Sequence, residues 1–284
     1  MLDEKASRTA LGAALYRAAH QLVDVPPVFD DPLALTVVGA TRGRPPSPSL
    51  ASRATREAAP LRAFVAARSR RAEDRFAEAF ARGTRQYLVL GAGLVTFGCR
   101  CPFPGVRVLE VDHPATQAWK RALLERVGIA VPARLTFVPV DFERDALEDG
   151  LESALDRAGL DRAAPAFVAW LGVTPYLTPE AVRATLAFVA RELAPGSEVL
   201  LDFAVAAEPE PRAKAAREAF AARVATLGEP LRSAFAPEAL IADAQALGFA
   251  GVEVEDAEAL NARYFSGRSD GLRLHGGHLL WAGR

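Results

Sequence analysis

The sequence predicts an α/β fold in which helices cover both faces of a mostly parallel, seven-stranded sheet. From residue 85 onward, short apolar runs alternate with helix-length segments, whereas the first 84 residues show helical spacing without a strand signal. Continuous apolar runs are typical of strands that are buried on both faces of a parallel sheet. The first run ends in the glycine turn at residues 91–93, and in such sheets this turn commonly meets a ligand.

The N-terminal part of the chain, residues 1–84, is predicted to form a helical cap over a domain that spans residues 85–284. Apolar residues recur at helical spacing over Ser7–Val23 and again over Ser49–Ala81. Pro60 lies within the second stretch and predicts a break or kink there.

Seven strands and the helices between them follow this cap. The strands are predicted at Tyr87–Ala92, Val106–Asp112, Arg134–Asp141, Ala166–Val173, Ser197–Val205, Gly251–Asp256 and His278–Trp281. The helices are predicted at Pro114–Val127, Ala146–Ala158, Thr178–Leu193, Pro211–Leu227 and Pro237–Leu247. This alternation predicts that successive strands run in the same direction.

Charge and cysteine content narrow the function classes. The formal net charge is −1, and no basic stripe or long apolar span is present, so we expect neither a nucleic-acid nor a membrane partner. Cys99 and Cys101 have no nearby ligands that would complete a zinc site, so no metal is expected. The first residues do not resemble a signal peptide. We therefore expect a cytoplasmic monomer or homodimer that acts on a small molecule.

Acidic residues at the ends of later strands accompany the glycine turn. Glu110 and Asp112 lie about twenty residues after it, where a carboxylate can accept hydrogen bonds from the hydroxyl groups of a ribose. Asp141 ends the third strand and suits an adenine amino group. NAD and S-adenosylmethionine both use this arrangement, but the third glycine of a dinucleotide fingerprint is replaced by Thr96. The pattern favours S-adenosylmethionine and leaves NAD open.

Six motifs in fixed order extend this interpretation over nearly the whole chain. They are ARSRRAED, LVLGAGLVTFGCR, LEVDHPATQAWK, FVPVDFERD, WLGVTPYLT and RYFSGRSDGLR. The set resembles the leucine carboxyl methyltransferase-like family, in particular its bacterial members described only as S-adenosylmethionine-dependent methyltransferases. The resemblance implies a Rossmann-like class I methyltransferase fold with S-adenosyl-L-methionine as the cofactor.

The resemblance also implies roles for single residues. Arg68 would meet the methionine carboxylate of the cofactor, and Asp112 would accept from the ribose, with Glu110 on the same strand face. Asp141 and Phe142 match an adenine-binding pair. The expected cofactor-binding residues are Arg68, Gly91, Ala92, Gly93, Glu110, Asp112, Asp141, Phe142 and Leu171.

Two residues depart from the family pattern. Val95 stands where an acid is common, and Leu171 stands where eukaryotic members carry a glutamate that helps to hold the amino end of the cofactor. The second departure argues against transferring the phosphatase-tail substrate of the eukaryotic enzymes. Both departures keep open a catalytically silent, methyltransferase-fold binding protein.

The predicted reaction is O-methylation of a small-molecule or natural-product carboxylate or hydroxyl. A carboxylate acceptor is ionised at neutral pH and needs no base, whereas a hydroxyl acceptor usually does. No sequence context singles out a catalytic residue, and the weak candidates are Tyr176, His113, Tyr264 and Arg268. An NAD(P)-dependent oxidoreductase is the alternative enzyme class, although no Tyr-x-x-x-Lys dyad is present.

Overall fold

The computed structural model describes residues 7–141, 150–207 and 211–284. Its strands are β1 Gln86–Leu90, β2 Arg107–Asp112, β3 Leu135–Pro139, β4 Ala166–Trp170, β5 Glu198–Phe203, β6 Gly251–Glu255 and β7 His278–Gly283. They form one sheet in the order β3-β2-β1-β4-β5-β7-β6. Strand β7 runs antiparallel to β5 and β6, and the other pairs are parallel. The predicted fold class is therefore confirmed.

Helices precede the sheet and connect its strands. In the described ranges they are α1 Arg8–Val23, α2 Ala34–Val37, α3 Pro48–Ala51, α4 Ala59–Ala81, α5 Phe97–Arg100, α6 Pro114–Arg126, α7 Gly150–Arg157, α8 Pro179–Glu192, α9 Pro211–Ala225, α10 Pro237–Ala246 and α11 Ala257–Tyr264. Pro60 lies in the first turn of α4, because proline lacks the N–H that this turn leaves unbonded. The helix between the third and fourth strands was predicted to begin at Ala146, and this start lies outside the described residues. Throughout the described ranges, every helix is too short or too polar to cross a lipid bilayer.

Apolar clusters cover both faces of the sheet. Alternate residues of β4 serve the two clusters, since Phe167 packs on one face and Val168 and Trp170 pack on the other. Phe76 of α4 belongs to the same cluster as Phe167, and Leu186 of α8 belongs to the cluster on the opposite face of the sheet. Since α4 shares a cluster with the strands, this helix packs directly on the sheet. The division of the chain at residue 84 stays a prediction.

A buried polar group joins α1 to α4. His20 contacts Asp24 through Nδ1 at 2.8 Å, and Arg62 donates to both carboxylate oxygens of Asp24 at 2.7 and 2.9 Å. The other imidazole nitrogen of His20 accepts from the backbone N–H groups of Val28 and Phe29. These contacts satisfy buried polar groups and fix α1 over the strand ends described next.

Candidate functional site

A cleft of about 1260 Å³ lies at the carboxyl ends of β1, β2, β3 and β4. Ligands bind at this edge of doubly wound sheets, where the strand order reverses. One wall consists of the loops that follow these strands. The opposite wall comes from α1, α4 and residues 220–232. Single small-molecule sites typically measure roughly 300–1,000 Å³, so this cleft has room for two small ligands side by side.

The glycine turn forms the floor of the cleft. Gly91 and Gly93 have φ angles of +67° and +47°, a region that favours glycine. A Cβ atom on Gly91 would lie 2.1 Å from Cγ2 of Val173, and one on Gly93 would lie 2.9 Å from Cβ of Ala10. Both glycines are therefore required by the backbone conformation and by close packing.

Asp112 faces the cleft from the end of β2. Its carboxylate accepts hydrogen bonds from the N–H groups of Gly93 and His113. Burial raises the pKa of Asp112 above its usual range, while these two N–H groups act to lower it. A carboxylate has about four lone-pair sites, so Asp112 can still accept from hydroxyl groups of a ligand.

His113 and Asp141 lie on the cleft beside Asp112. Nδ1 of His113 accepts from the N–H of Ala115 at 3.2 Å and caps the N-terminus of α6. Nε2 of His113 lies 4.0 Å from an oxygen of Asp141. Since Nδ1 accepts, the proton of the neutral ring is on Nε2, and His113 is not poised to act as a base. The predicted partner of Asp141, Phe142, lies outside the described residues.

Arg68 reaches the cleft from α4. Its Nη1 donates to Asp202 at 2.6 Å, and its side chain is 13% exposed. The neighbouring Arg70 and Arg71 do not line the cleft, since Arg70 pairs with Asp74 and Arg71 pairs with Glu255. Of these three arginines, Arg68 alone is placed to meet a ligand.

The structure corrects the expectation for Glu110. Its side chain is fully buried and forms an ion pair with Lys120 of α6, and it does not line the cleft. Burial raises the pKa of Glu110, and Lys120 acts to lower it. Lys120 also donates to the backbone carbonyl of Val95 at 2.6 Å, so the pair supports the loop after β1. Glu110 shares a strand face with Asp112 but lies two residues deeper, which places it in the interior.

Two of the four weak catalytic candidates lie away from the cleft. Tyr264 donates to Asp74 at 2.8 Å, and Arg268 pairs with Asp270 and donates to the carbonyl of Pro26. Neither side chain lines the cleft, which removes both as candidates.

Tyr176 lines the cleft together with Ala92 and Leu171. Burial raises the pKa of Tyr176 to about 12. Its phenol therefore keeps its proton at neutral pH, and Tyr176 can donate a hydrogen bond but does not serve as a base.

Sequence reasoning missed a contact that closes one end of the cleft. The carboxylate of Glu229 accepts from the backbone N–H groups of Arg8 and Thr9 at 2.8 and 3.1 Å. These groups belong to the first turn of α1, where N–H groups lack intrahelical partners. The two residues that begin α1 are more than 200 positions from Glu229, so no local pattern could indicate this contact.

It also missed the arginines of the wall opposite the glycine turn. The guanidinium of Arg53 lies 5.2 Å from the ring centroid of Tyr16, and that of Arg223 lies 5.4 Å from Phe220. Among the described residues, neither arginine has a carboxylate partner. Arg17 is buried nearby and donates to the carbonyl of Leu94 at 2.6 Å. At helical spacing Arg17 lies roughly opposite Leu11, Leu15 and Leu22, so no apolar pattern indicated its burial.

Comparison with known proteins identifies the family. The sequence profile of the leucine carboxyl methyltransferase family matches residues 10–190, more than half of the chain. A protein of Bacillus subtilis (strain 168), provisionally named S-adenosyl-L-methionine-dependent methyltransferase YktD, is 28% identical over 96% of this chain and 95% of its own length. A protein of Saccharopolyspora erythraea with the same provisional description is 36% identical over 68% of this chain and 66% of its own.

Two solved structures have a similar fold. A protein of the duf574 family from Streptomyces avermitilis superposes with a TM-score of 0.64 at 18% identity, covering 100% of both chains. A protein from Thermobifida fusca YX, provisionally described as a methyltransferase, has a TM-score of 0.57 at 22% identity and covers 96% of this chain and 94% of its own. Together with the profile match, these findings confirm the resemblance stated above: the chain belongs to the leucine carboxyl methyltransferase family.

Proposed function

We propose that the protein is an S-adenosyl-L-methionine-dependent methyltransferase that methylates an oxygen atom of a small-molecule carboxylate or hydroxyl, with a carboxylate preferred. The observation that carries this proposal is the convergence of Arg68, the glycine turn and Asp112 on one large cleft at the carboxyl edge of the sheet. Family membership and the names of the relatives support it.

The donors and acceptors of the cleft suit the parts of this cofactor. Asp112 has acceptor capacity for the ribose hydroxyls, and Arg68 has guanidinium donors for the methionine carboxylate. Asp141 offers a carboxylate at the end of β3, where an adenine amino group would lie.

Two features of the loop after β1 favour this cofactor over NAD. The third glycine of a dinucleotide site is replaced by Thr96, whose buried hydroxyl donates to Asp31 at 2.7 Å. The helix after the turn, Phe97–Arg100, has only four residues and offers little of the helix N-terminus that binds a pyrophosphate. S-adenosyl-L-methionine has no phosphate and requires neither feature.

The proposed reaction requires the protein to position the two ligands and does not require a catalytic base when the acceptor is a carboxylate. When bound, S-adenosyl-L-methionine supplies a methyl group activated by its sulfonium, which passes to the acceptor oxygen as the sulfur–methyl bond breaks. The residues of the cleft have to align the two ligands and exclude water. His113 and Tyr176 are poorly suited as bases, as described above. This supports an acceptor that is already ionised, as a carboxylate is at neutral pH.

The charge of the cleft also supports an anionic acceptor. Among the lining residues, the carboxylates are Asp112, Asp141 and Glu229, and the arginines are Arg8, Arg17, Arg53, Arg68, Arg223 and Arg232. Arg17 and Arg68 are paired with buried carboxylates outside the lining, Asp31 and Asp202, whereas Arg53 and Arg223 have no carboxylate partner among the described residues. Apolar groups lie beside the arginines of the wall opposite the glycine turn, including Leu61, Val65, Phe220 and Val224. We therefore propose an acceptor with an apolar body and an acidic group.

Calorimetric titration with S-adenosylhomocysteine tests the cofactor assignment. We expect micromolar binding by the wild type, its loss in Asp112→Ala and Asp112→Asn, and no binding of NAD. The matched control is Asp270→Asn, because Asp270 pairs with Arg268 outside the cleft and should not affect binding. Tight binding of NAD, or full binding by both Asp112 variants, would contradict the proposal.

Acceptor screening tests the reaction itself. The protein is incubated with S-adenosyl-L-methionine and a panel of carboxylic acids and phenols that have apolar bodies, and the release of S-adenosylhomocysteine is measured. The corresponding amides and methyl ethers serve as controls. We expect turnover with an acid and none with its amide. Cofactor binding without turnover across the panel would favour the methyltransferase-fold binding protein.

We further propose that the protein acts in the cytoplasm as a monomer or homodimer. The two cysteines of the sequence, Cys99 and Cys101, are one residue apart and cannot cross-link distant segments, so the fold does not depend on disulfides, which supports a reducing compartment. Gel filtration with light scattering measures the oligomeric state, and a higher assembly would contradict this part of the proposal.

A further inference from the structure

Asp202 is a buried carboxylate that contacts the side chain of Arg68. It is the fifth residue of β5, its side chain is 5% exposed, and it does not line the cleft. One carboxylate oxygen accepts from Nη1 of Arg68 at 2.6 Å, and the other accepts from the backbone N–H of Gly172 at 2.5 Å. The backbone carbonyl of Asp202 accepts from the hydroxyl of Thr174. Asp202 therefore joins the arginine of the cleft to the loop after β4.

Gly172 makes the space that this arginine occupies. Its φ angle is +74°, and a Cβ atom there would lie 2.7 Å from Nη2 of Arg68. The guanidinium is therefore packed directly against the backbone of the loop after β4. Glycine is favoured at this position by both the backbone conformation and the close approach of Arg68.

The contacts leave most of the guanidinium available. A guanidinium carries five N–H donors in a planar fork, and in the described structure Arg68 directs one hydrogen bond to Asp202. A carboxylate is gripped best by two parallel N–H groups of such a fork, which requires a fixed orientation of the plane. The ion pair with Asp202 supplies an anchor for that orientation on the side away from the cleft.

We propose that Asp202 is a positioning residue, which with Gly172 holds Arg68 so that its remaining donors face the carboxylate at the amino-acid end of the cofactor. This inference rests on the proposed function, because it assigns Arg68 to that carboxylate. It adds a second layer to the site: Asp202 acts through Arg68 and does not contact the ligand.

Two ligands that differ at the amino-acid end test this role. S-adenosylhomocysteine carries the carboxylate, whereas 5′-methylthioadenosine keeps the adenosine and the thioether but lacks the amino-acid end. In the wild type, Arg68 and the N–H of Gly172 donate to different carboxylate oxygens of Asp202. The amide of Asp202→Asn has only one oxygen, so one of these two hydrogen bonds is lost and Arg68 is no longer held in place. We expect S-adenosylhomocysteine to bind about 10- to 100-fold more weakly, as for one lost charge-assisted hydrogen bond. Binding of 5′-methylthioadenosine should be unchanged.

Matched variants separate positioning from a structural role. Arg68→Gln should show the same selective loss, and Arg68→Gln/Asp202→Asn should lose no more than Arg68→Gln alone. Should Asp202→Asn fail to fold, Gly172→Ala decides, since its methyl group displaces the guanidinium and should give the same selectivity. An equal loss of both ligands in the folded variants, or full retention of S-adenosylhomocysteine binding, overturns the proposal.

The wild type distinguishes failure of this proposal from failure of the proposed function. If the wild type binds neither ligand, the cofactor assignment fails and the role of Asp202 falls with it. If the wild type binds both and the variants lose neither selectively, the cofactor assignment stands and only the role of Asp202 is refuted.

Discussion

Replacing Gly91 by alanine tests the close packing beneath the cleft. The change combines two costs, a left-handed backbone at φ +67° and a Cβ atom placed 2.1 Å from Cγ2 of Val173. A left-handed conformation costs a residue with a Cβ atom about 1–2 kcal/mol. Forcing a methyl group into a packed interior costs about 1–3 kcal/mol more. We expect Gly91→Ala to lower the free energy of unfolding by about 2–5 kcal/mol.

A second glycine isolates the backbone cost. Gly105 has a φ angle of +69°, and a Cβ atom there would have no atom within 4 Å. Gly105→Ala should therefore lower the free energy of unfolding by about 1–2 kcal/mol, which is the conformational cost alone. The difference between the two variants measures the steric cost at Gly91.

Urea denaturation followed by circular dichroism provides the assay. In addition to the two alanine variants, Val173→Ala and Gly91→Ala/Val173→Ala complete a double-mutant cycle. Because truncating Val173 removes the methyl groups that the new Cβ meets, we expect a favourable coupling of about 1–3 kcal/mol, equal to the steric cost. Equal destabilisation at Gly91 and Gly105, together with an additive cycle, would refute the steric argument.

Two further predictions concern the buried charges and the tyrosine described above. Lys120→Met should lower the free energy of unfolding by about 3–5 kcal/mol at pH 7, because Glu110 is left buried without its partner. This loss should shrink as the pH falls, because the raised pKa of Glu110 favours its protonated, uncharged form in the folded state. The double variant Lys120→Met/Glu110→Gln should recover part of the lost free energy of unfolding. Urea denaturation at pH 7 and pH 5 measures both effects, and a loss that does not depend on pH would contradict the reasoning. The raised pKa of Tyr176 contributes stability that is present below pH 10 and is lost as the pH rises towards about 12. Tyr176→Phe should therefore lose less unfolding free energy than the wild type over that alkaline range, and identical pH profiles would contradict the assignment.

Most of the sheet was predictable because its strands are continuous apolar runs. The predicted carboxyl end of β2 matches the observed one, and those of the other six strands differ from the observed ends by one to three residues. The fourth strand, for example, ends at Trp170 rather than Val173, because Gly172 turns the backbone at φ +74°. The helix Ala257–Tyr264 was not predicted, since Leu260 is its one fully buried residue and no apolar stripe marks it.

The cleft was predictable where a local rule or the family resemblance applied, and the resemblance alone indicated Arg68. The rule that acidic residues at the carboxyl ends of strands mark the site indicated Asp112 and Asp141. The same rule would also have indicated Asp202, which lies near the end of β5. The rule was wrong for Glu110, because spacing along a strand does not show how deep a residue lies. Glu229 was not predictable, since its contact with the first turn of α1 depends on how distant segments pack.

The placement of β7 has a consequence for how the protein is made. Strand β6 pairs with β7, and β7 also covers the outer edge of β5, so residues 278–283 complete both ladders. Until those residues leave the ribosome, a nascent chain carries an open edge on β5 and a strand β6 without that partner. Unpaired strand edges promote association between chains. We therefore expect the last steps of folding to follow the emergence of residues 278–283, and a nascent chain that has β5 and β6 but lacks these residues to be the form most in need of a chaperone.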